Sequence, residues 1–247
     1  MTNQSKKRVA ILQSSYIPWK GYFDQINQVD YFVLYDCVQY TRRDWRNRNK
    51  IKTPHGTHWL TIPVSVKGKF FTPIWDVEVS DNTWAREHFL SIKHHYTSAP
   101  FFKNYETELK EIFDEAAGLK LLSDVNHLFL NRICKWLGIN TPIKKSQEFQ
   151  LHEGKSERLL GICQDLNAAV YLSGPAARDY LDTAMFERAG ISVEWADYSG
   201  YPEYPQVHPP FEHGVSALDL LFHTGAEAGN YMKSFSSKQE KMLSSSK

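Results

Sequence analysis

The chain reads as an α/β protein built on a parallel sheet, and three stretches carry that expectation. Residues 8–40 (RVAILQSSYIPWKGYFDQINQVDYFVLYDCVQY) run strand, helix, strand within about thirty residues. Such a crossover makes the two strands parallel and lays a helix over them. Residues 169–175 (AVYLSGP) repeat the design, an apolar strand that stops at small polar residues and enters a helix. Residues 190–195 (GISVEW) supply one more strand of β-branched and aromatic composition.

Taken in order, Val9-Ala10-Ile11-Leu12 is a short apolar run of the kind buried inside a parallel sheet. The polar turn Gln13-Ser14-Ser15 follows, then Tyr16-Ile17-Pro18-Trp19 and Gly21. Tyr22, Phe23, Ile26 and Val29 then mark one face of a helix. Asp30 leads into the second strand, Tyr31-Phe32-Val33-Leu34-Tyr35. Ligands of open α/β sheets bind outside the carboxyl ends of the strands, so the loops over residues 13–21 and 36–40 are where side chains converge on a small molecule. The helix start after the first loop adds unpaired N–H groups and a positive dipole end, which suit phosphate or carboxylate.

Residues 41–50 (TRRDWRNRNK) carry five cationic side chains interleaved with Trp45, Asn47 and Asn49. Arginine forks match phosphate or carboxylate oxygens two at a time, and the run reads as a phosphate or diphosphate clamp. Ile51-Lys52, the turn Pro54-His55-Gly56-Thr57 and Trp59-Leu60-Thr61-Ile62-Pro63-Val64 form a β-hairpin, with Pro63 placing its strand at an edge or end. Residues 82–138 turn helical. One helix is capped at Asp81 or Asn82 and reaches about Tyr96; after Pro100, two more cover 101–117 and 119–137, closed by Gly138. A helix over 153–166 precedes the third strand, and one over 176–181 follows it behind Pro175. A proline- and tyrosine-rich loop spans 198–211, and a last helix covers 215–222. The organisation expected is one α/β domain over residues 1–235, with the helical section inserted or appended, and a flexible polar tail over 236–247.

A formal net charge of +1 removes any global drive toward nucleic acid or membrane. No apolar run reaches the length of a membrane span and the opening MTNQSKKR lacks an apolar signal core, so the expected location is the cytoplasm. Cys37, Cys134 and Cys163 are odd in number and far apart, which fits reduced thiols rather than a disulfide framework. His94 and His95 occupy adjacent helical positions that point about a hundred degrees apart. With no H-x-x-x-H or C-x-x-C pair, the sequence predicts no metal site. Aromatic residues make up 14% of the chain, and the many in apparent loops are platforms of the kind that hold sugars and nucleobases.

Residues 11–23 (ILQSSYIPWKGYF), 45–51 (WRNRNKI), 59–64 (WLTIPV), 171–175 (YLSGP) and 216–222 (SALDLLF) together resemble the WbqC-like family, collinearly over most of residues 8–232. The resemblance implies bacterial surface-polysaccharide gene clusters (O-antigen, lipopolysaccharide), and hence work on a nucleotide-linked amino sugar. The opening loop also resembles that of the H-x-G-H nucleotidyltransferases. Pro18 matches their proline and Gly21 their glycine, while Trp19 and Tyr22 stand where histidines are expected. That likeness implies a nucleotidyltransferase-like core, of the HUP or Rossmann-like kind, with the hairpin as an insertion. Trp and Tyr each donate one hydrogen bond but neither becomes cationic, which weakens the adenylyl-transfer implication.

The function expected on this basis is transfer of an acyl or aminoacyl group to the sugar amine. The nucleotide-sugar is the small-molecule partner, and ATP or another acyl donor the co-substrate. Such a step needs a deprotonated amine, an oxyanion stabiliser and a held donor. Gln13, Tyr16 and Tyr22 are the catalytic candidates, with His208 or His213 as general base. Trp19, Gly21, Gln39, Tyr40 and Trp45 surround the substrate at the strand tips. Arg43, Arg48 and Lys52 hold phosphates beside Asn47 and Asn49, and Ser173, Gly174 and Arg178 contribute from the third strand end. The alternative is a non-catalytic sugar-nucleotide-binding or scaffold protein on a degenerate nucleotidyltransferase fold.

Overall fold

The structure is a computed structural model and describes residues 7–235 apart from 67, 69 and 70. The predicted polar tail over 236–247 lies outside the described residues. In chain order the elements are β1 (Lys7–Leu12), α1 (Lys20–Asn27), β2 (Tyr31–Leu34), β3 (Arg48–Thr53), β4 (Gly56–Thr61), α2 (Thr83–Tyr96), α3 (Phe102–Ala116) and α4 (Leu122–Trp136). They continue with β5 (Ile143–Lys145), α5 (Lys155–Asp165), β6 (Ala168–Ser173), α6 (Thr183–Arg188), β7 (Ser192–Trp195) and α7 (Ala217–Thr224).

Five strands form one sheet in the order β5-β2-β1-β6-β7, and every pairing is parallel. The chain walks outward from β1 through β2 to β5, returns to β6 on the other side of β1, and ends at β7. The direction of winding therefore reverses between β1 and β6. No connection bridges their carboxyl ends, and a crevice opens there.

Side chains alternate across a strand, and here both faces are covered. Ala10 and Leu12 of β1 pack into the layer built by α1 to α4 and α7, while Val9 and Ile11 pack against α5 and α6. That is why β1 is apolar at four successive positions. β3 and β4 form a separate antiparallel sheet, with Thr53 opposite Gly56 across a turn at Pro54 and His55. The helix predicted over 176–181 is instead a single 3-10 turn, Pro175–Asp179, and α6 begins at Thr183. The reason is capping: Gly174 has no side-chain acceptor, whereas Asp182 accepts from Met185 N at 3.1 Å.

The helical layer closes around aromatic rings. Tyr16 stands edge-on to Trp84 and Phe129, and its hydroxyl lies 2.9 Å from His88 Nδ1. Tyr96 and Tyr204 both donate to the buried Asp219 carboxylate, tying α2, α7 and the proline-rich segment together.

Burial lowers the His88 pKa from 6.5 to about 4, so the ring is neutral in the fold. The unfolded chain takes up this proton near pH 6.5 and the folded chain only near 4. Stability from the neutral ring is complete above the unfolded value and is lost as pH falls through that window, by about 3 kcal/mol at most. His88→Gln should flatten the pH dependence of the urea midpoint between pH 6.5 and 4. An unchanged slope would show that His88 does not titrate on unfolding.

Candidate functional site

The first loop leaves β1 with backbone groups that burial obliges to find partners. Ser14 N donates to Asp36 Oδ1 at 2.8 Å, and Ser123 Oγ donates to the other oxygen of that carboxylate. Asn126 Nδ2 donates to Ser14 Oγ and to the Arg46 carbonyl, both at 2.9 Å. Tyr16 N donates to the Trp45 carbonyl, and Asn49 Nδ2 donates to the carbonyls of Tyr16 and Ile17, each at 3.0 Å. Ile17 sits at φ 36°, a left-handed conformation that β-branched residues rarely adopt. The Asn49 amide holds it there. Loop and hairpin base are thus one assembly. Just beyond, the Trp19 ring folds over the start of α1, where a Cβ on Gly21 would lie 2.3 Å from it.

Two adjoining lobes occupy the crevice between the ends of β1 and β6 and share Leu12, Gly174 and Ala176 as walls. The larger, about 550 Å³, is walled by the rings of Trp19, Tyr22, Trp45 and Tyr198, and Arg46 is its one lining cation among the described residues. Ser15, Asn49 and His213 add polar groups. The smaller, about 340 Å³, sets Gln13, Ser173 and Lys155 above an apolar floor that includes Leu159. Lys155 opens α5, whose N-terminus follows Gly154. Flat rings around one strongly hydrogen-bonding cation suit a planar, anionic ligand.

Of the residues singled out from sequence, the larger lobe gathers Trp19, Tyr22, Trp45, Asn49, Gly174 and the exposed His213; the smaller gathers Gln13 and Ser173. Gly21 lies under the Trp19 ring. Tyr22 is buried, its hydroxyl donates to the Gln13 carbonyl at 2.9 Å, and burial raises its pKa well above the ordinary tyrosine value. It holds the loop as a neutral phenol.

The others lie elsewhere. Tyr16 belongs to the core, where burial raises its pKa. Gln39 is exposed and bridges Pro73, and Tyr40 is buried with its N–H on the Thr72 carbonyl. Arg43 is exposed and its carbonyl accepts from Arg48, whose guanidinium lies 4.1 Å from the Trp59 ring centre. Asn47 donates to the Ile62 carbonyl, and the buried Lys52 donates to the Pro210 carbonyl. Arg178 sits over Trp195, and His208 lines neither lobe. For the hairpin cations the physical reason is the period of β3. Read as a loop, the basic run lets every cation converge; as a strand, it sends Arg48 and Lys50 to the Trp59 ring and Asn49 inward. Sequence reasoning counts Tyr198 among the loop aromatics and does not single out Arg46, Lys155 or Asp36. Asp36 left a signal, an acid directly behind an apolar strand; nothing local separates Arg46 from its neighbours.

Among the described residues no helix is long and apolar enough to cross a membrane, and no group of three or more His, Cys, Asp or Glu is placed to hold a metal ion.

An open parallel sheet with a two-lobed cleft at its winding reversal places the protein in the mixed α/β class. The model of the WbqC-like protein family matches residues 13–231, and the chain belongs to that family. It is similar to the uncharacterized protein Rv1507c of Mycobacterium tuberculosis, 46% identical over 227 residues that span 92% of this chain and 98% of the relative. No solved structure matches the chain.

Asn49→Asp keeps the size of the side chain and removes the amide donor. It should destabilise the protein as much as Asn49→Ala does, by about 1–3 kcal/mol, because two loop carbonyls lose their partner. Denaturant unfolding measures this, and an Asp variant as stable as the parent contradicts the clamp.

Proposed function

We propose that the chain is an enzyme that holds a nucleotide-linked amino sugar in the cleft between β1 and β6 and transfers an acyl or aminoacyl group from an activated acyl donor to the sugar amine. The amide forms as the amine loses a proton and the donor's leaving group departs. The observation that carries the reading is the cleft itself, a ring-walled lobe and a polar lobe meeting at Leu12, Gly174 and Ala176. Rings of Trp and Tyr offer stacking faces to a base or a sugar, and Gln13, Ser173 and Lys155 offer hydrogen bonds and charge to the rest. His213, exposed at the larger lobe, is the general base proposed for the amine proton. The strand order is compatible with a nucleotidyltransferase-like core, and the surface-polysaccharide setting implied by the family resemblance fits cytoplasmic work on an activated sugar.

A second reading, a non-catalytic sugar-nucleotide-binding protein, is favoured by one observation. The positions where H-x-G-H enzymes carry histidines hold Trp19, folded over Gly21, and Tyr22, whose hydroxyl donates a hydrogen bond to the Gln13 carbonyl. Neither becomes cationic.

Calorimetry with a panel of nucleotide-linked amino sugars, followed by mass spectrometry of the sugar after adding acyl donors with and without ATP, separates the two. An acyl-sized mass gain that His213→Ala abolishes supports the enzyme. Binding with no mass gain under any donor supports the binder, and absence of binding sinks both. Trp45→Ala should weaken binding by about tenfold, the scale of one base–aromatic stack.

A further inference from the structure

The cations of the hairpin segment are mostly engaged within the protein. Arg48 lies on Trp59 and reaches the Arg43 carbonyl, Lys50 is also over Trp59, and Lys52 is committed to Pro210. Arg46 is the one of these cations that lines the larger lobe, with its side chain 11% exposed. Its Nε has no hydrogen-bond partner, which is true of the Arg48 Nε as well. The facing acceptor, Asp44 Oδ2, is 3.7 Å away, beyond hydrogen-bonding reach, and Asp44 Oδ1 already accepts from Trp45 N at 2.7 Å. A buried guanidinium donor without an acceptor is uncommon in folded proteins and asks for a reason. The main chain beneath it is fixed, because its carbonyl accepts from Asn126.

A second, independent feature shares the lobe. Helix α1 begins there, with Pro18, Trp19 and Tyr22 among the lining residues. Its cap residue Trp19 makes no side-chain capping bond and its first turn holds no acid, so the positive end of the helix dipole is not offset locally. Trp45 and Trp19 line the same lobe and supply its ring surface.

We propose that Arg46 and the uncapped first turn of α1 form an anion-binding point that takes the phosphates of a nucleoside diphosphate, with the base on the tryptophan rings of the larger lobe. The choice of a nucleotide rests on the function proposed above; the anion point rests on the geometry. The arrangement also orients the substrate. The nucleotide fills the larger lobe, and the smaller lobe, with Gln13, Ser173 and Lys155, is left to the group being joined.

The test uses the full chain and ligands that carry no sugar. Tryptophan fluorescence and calorimetry are run with UDP, dTDP, GDP and ADP, with the matching nucleosides, and with inorganic pyrophosphate. The parent should bind at least one diphosphate about tenfold or more tightly than its nucleoside, with an affinity that falls as salt rises while the nucleoside's does not. Pyrophosphate should compete. Arg46→Gln should bring the diphosphate down to the nucleoside's affinity and remove the salt dependence, and Arg46→Lys should restore part of both. Arg132→Gln, the same charge change on the outer surface of α4, should alter neither. Thermal melting checks folding, and the parent's own salt series decides the matter if Arg46→Gln does not fold.

Equal binding of diphosphate and nucleoside by the parent, no nucleotide binding at all, or an Arg46→Gln protein that binds diphosphate as the parent does would each overturn the site. Arg46-dependent diphosphate binding without acyl transfer refutes the reaction and leaves the site. Acylation of a nucleotide-sugar that Arg46→Gln binds unchanged refutes the site and leaves the reaction.

Discussion

The fold's working end depends on a buried polar clamp. The Asp36 carboxylate and the amides of Asn49 and Asn126 satisfy the first loop where no backbone ladder reaches it. An unpaired peptide group inside a protein carries a penalty comparable to a lost hydrogen bond, so a buried loop persists only if side chains take over. Here they come from three elements: the tip behind β2, the strand β3 and the helix α4. The long insertion between β2 and β5 is therefore no appendage to the crevice. It supplies the acceptors and donors that shape the β1 tip, and through Trp45 and Arg46 it supplies one wall of the larger lobe.

A second tie comes from the far end of the chain. Lys20 Nζ donates to the Pro202 carbonyl at 2.8 Å and lies over the rings of Tyr201, Tyr204 and Phe211, while Lys52 reaches Pro210. Burial lowers the Lys20 pKa to about 8, against the opposing pull of Asp24, Asp219 and Glu203. These two lysines fasten the proline-rich segment across α1 and the hairpin, and that segment brings Tyr198 and His213 to the cleft. Lys52, which reads from sequence as a phosphate holder, is spent on fastening that segment. A lysine given to a carbonyl in a dry setting has little left for a phosphate.

Periodicity explains what was legible in the sequence and what was not. Four successive apolar residues in β1 and the three-and-four spacing of α1 and α2 follow directly from which faces are covered, so the crossover, the helical section and the hairpin could be read off the chain. The same rule is harder to apply in the basic run, because a charged strand alternates just as an apolar one does. Arg48, Lys50 and Lys52 share one face of β3 while Asn49 and Ile51 take the other. Tyr16 shows the other failure. A polar-aromatic turn looks solvent-facing in isolation, yet its ring completes a core of Trp84, His88 and Phe129 contributed by helices more than sixty residues later. Which of several like residues meets the crevice is decided by tertiary hydrogen bonds, and single-chain patterns do not encode those.

The two positions that depart from the H-x-G-H pattern make structural sense together. Tyr22 closes the loop on itself through the Gln13 carbonyl, and Trp19 lies flat over Gly21, an approach that only a residue without Cβ permits. Both side chains add ring surface to the larger lobe, and neither carries charge. Charge in the larger lobe comes instead from Arg46, mounted on the hairpin base that Asn126 and Asn49 bind to that same loop. An arginine stays cationic at any physiological pH and cannot serve as an acid or base, whereas histidine can. On the proposed reading such a site grips an anion rather than passing it a proton, and proton transfer falls to His213.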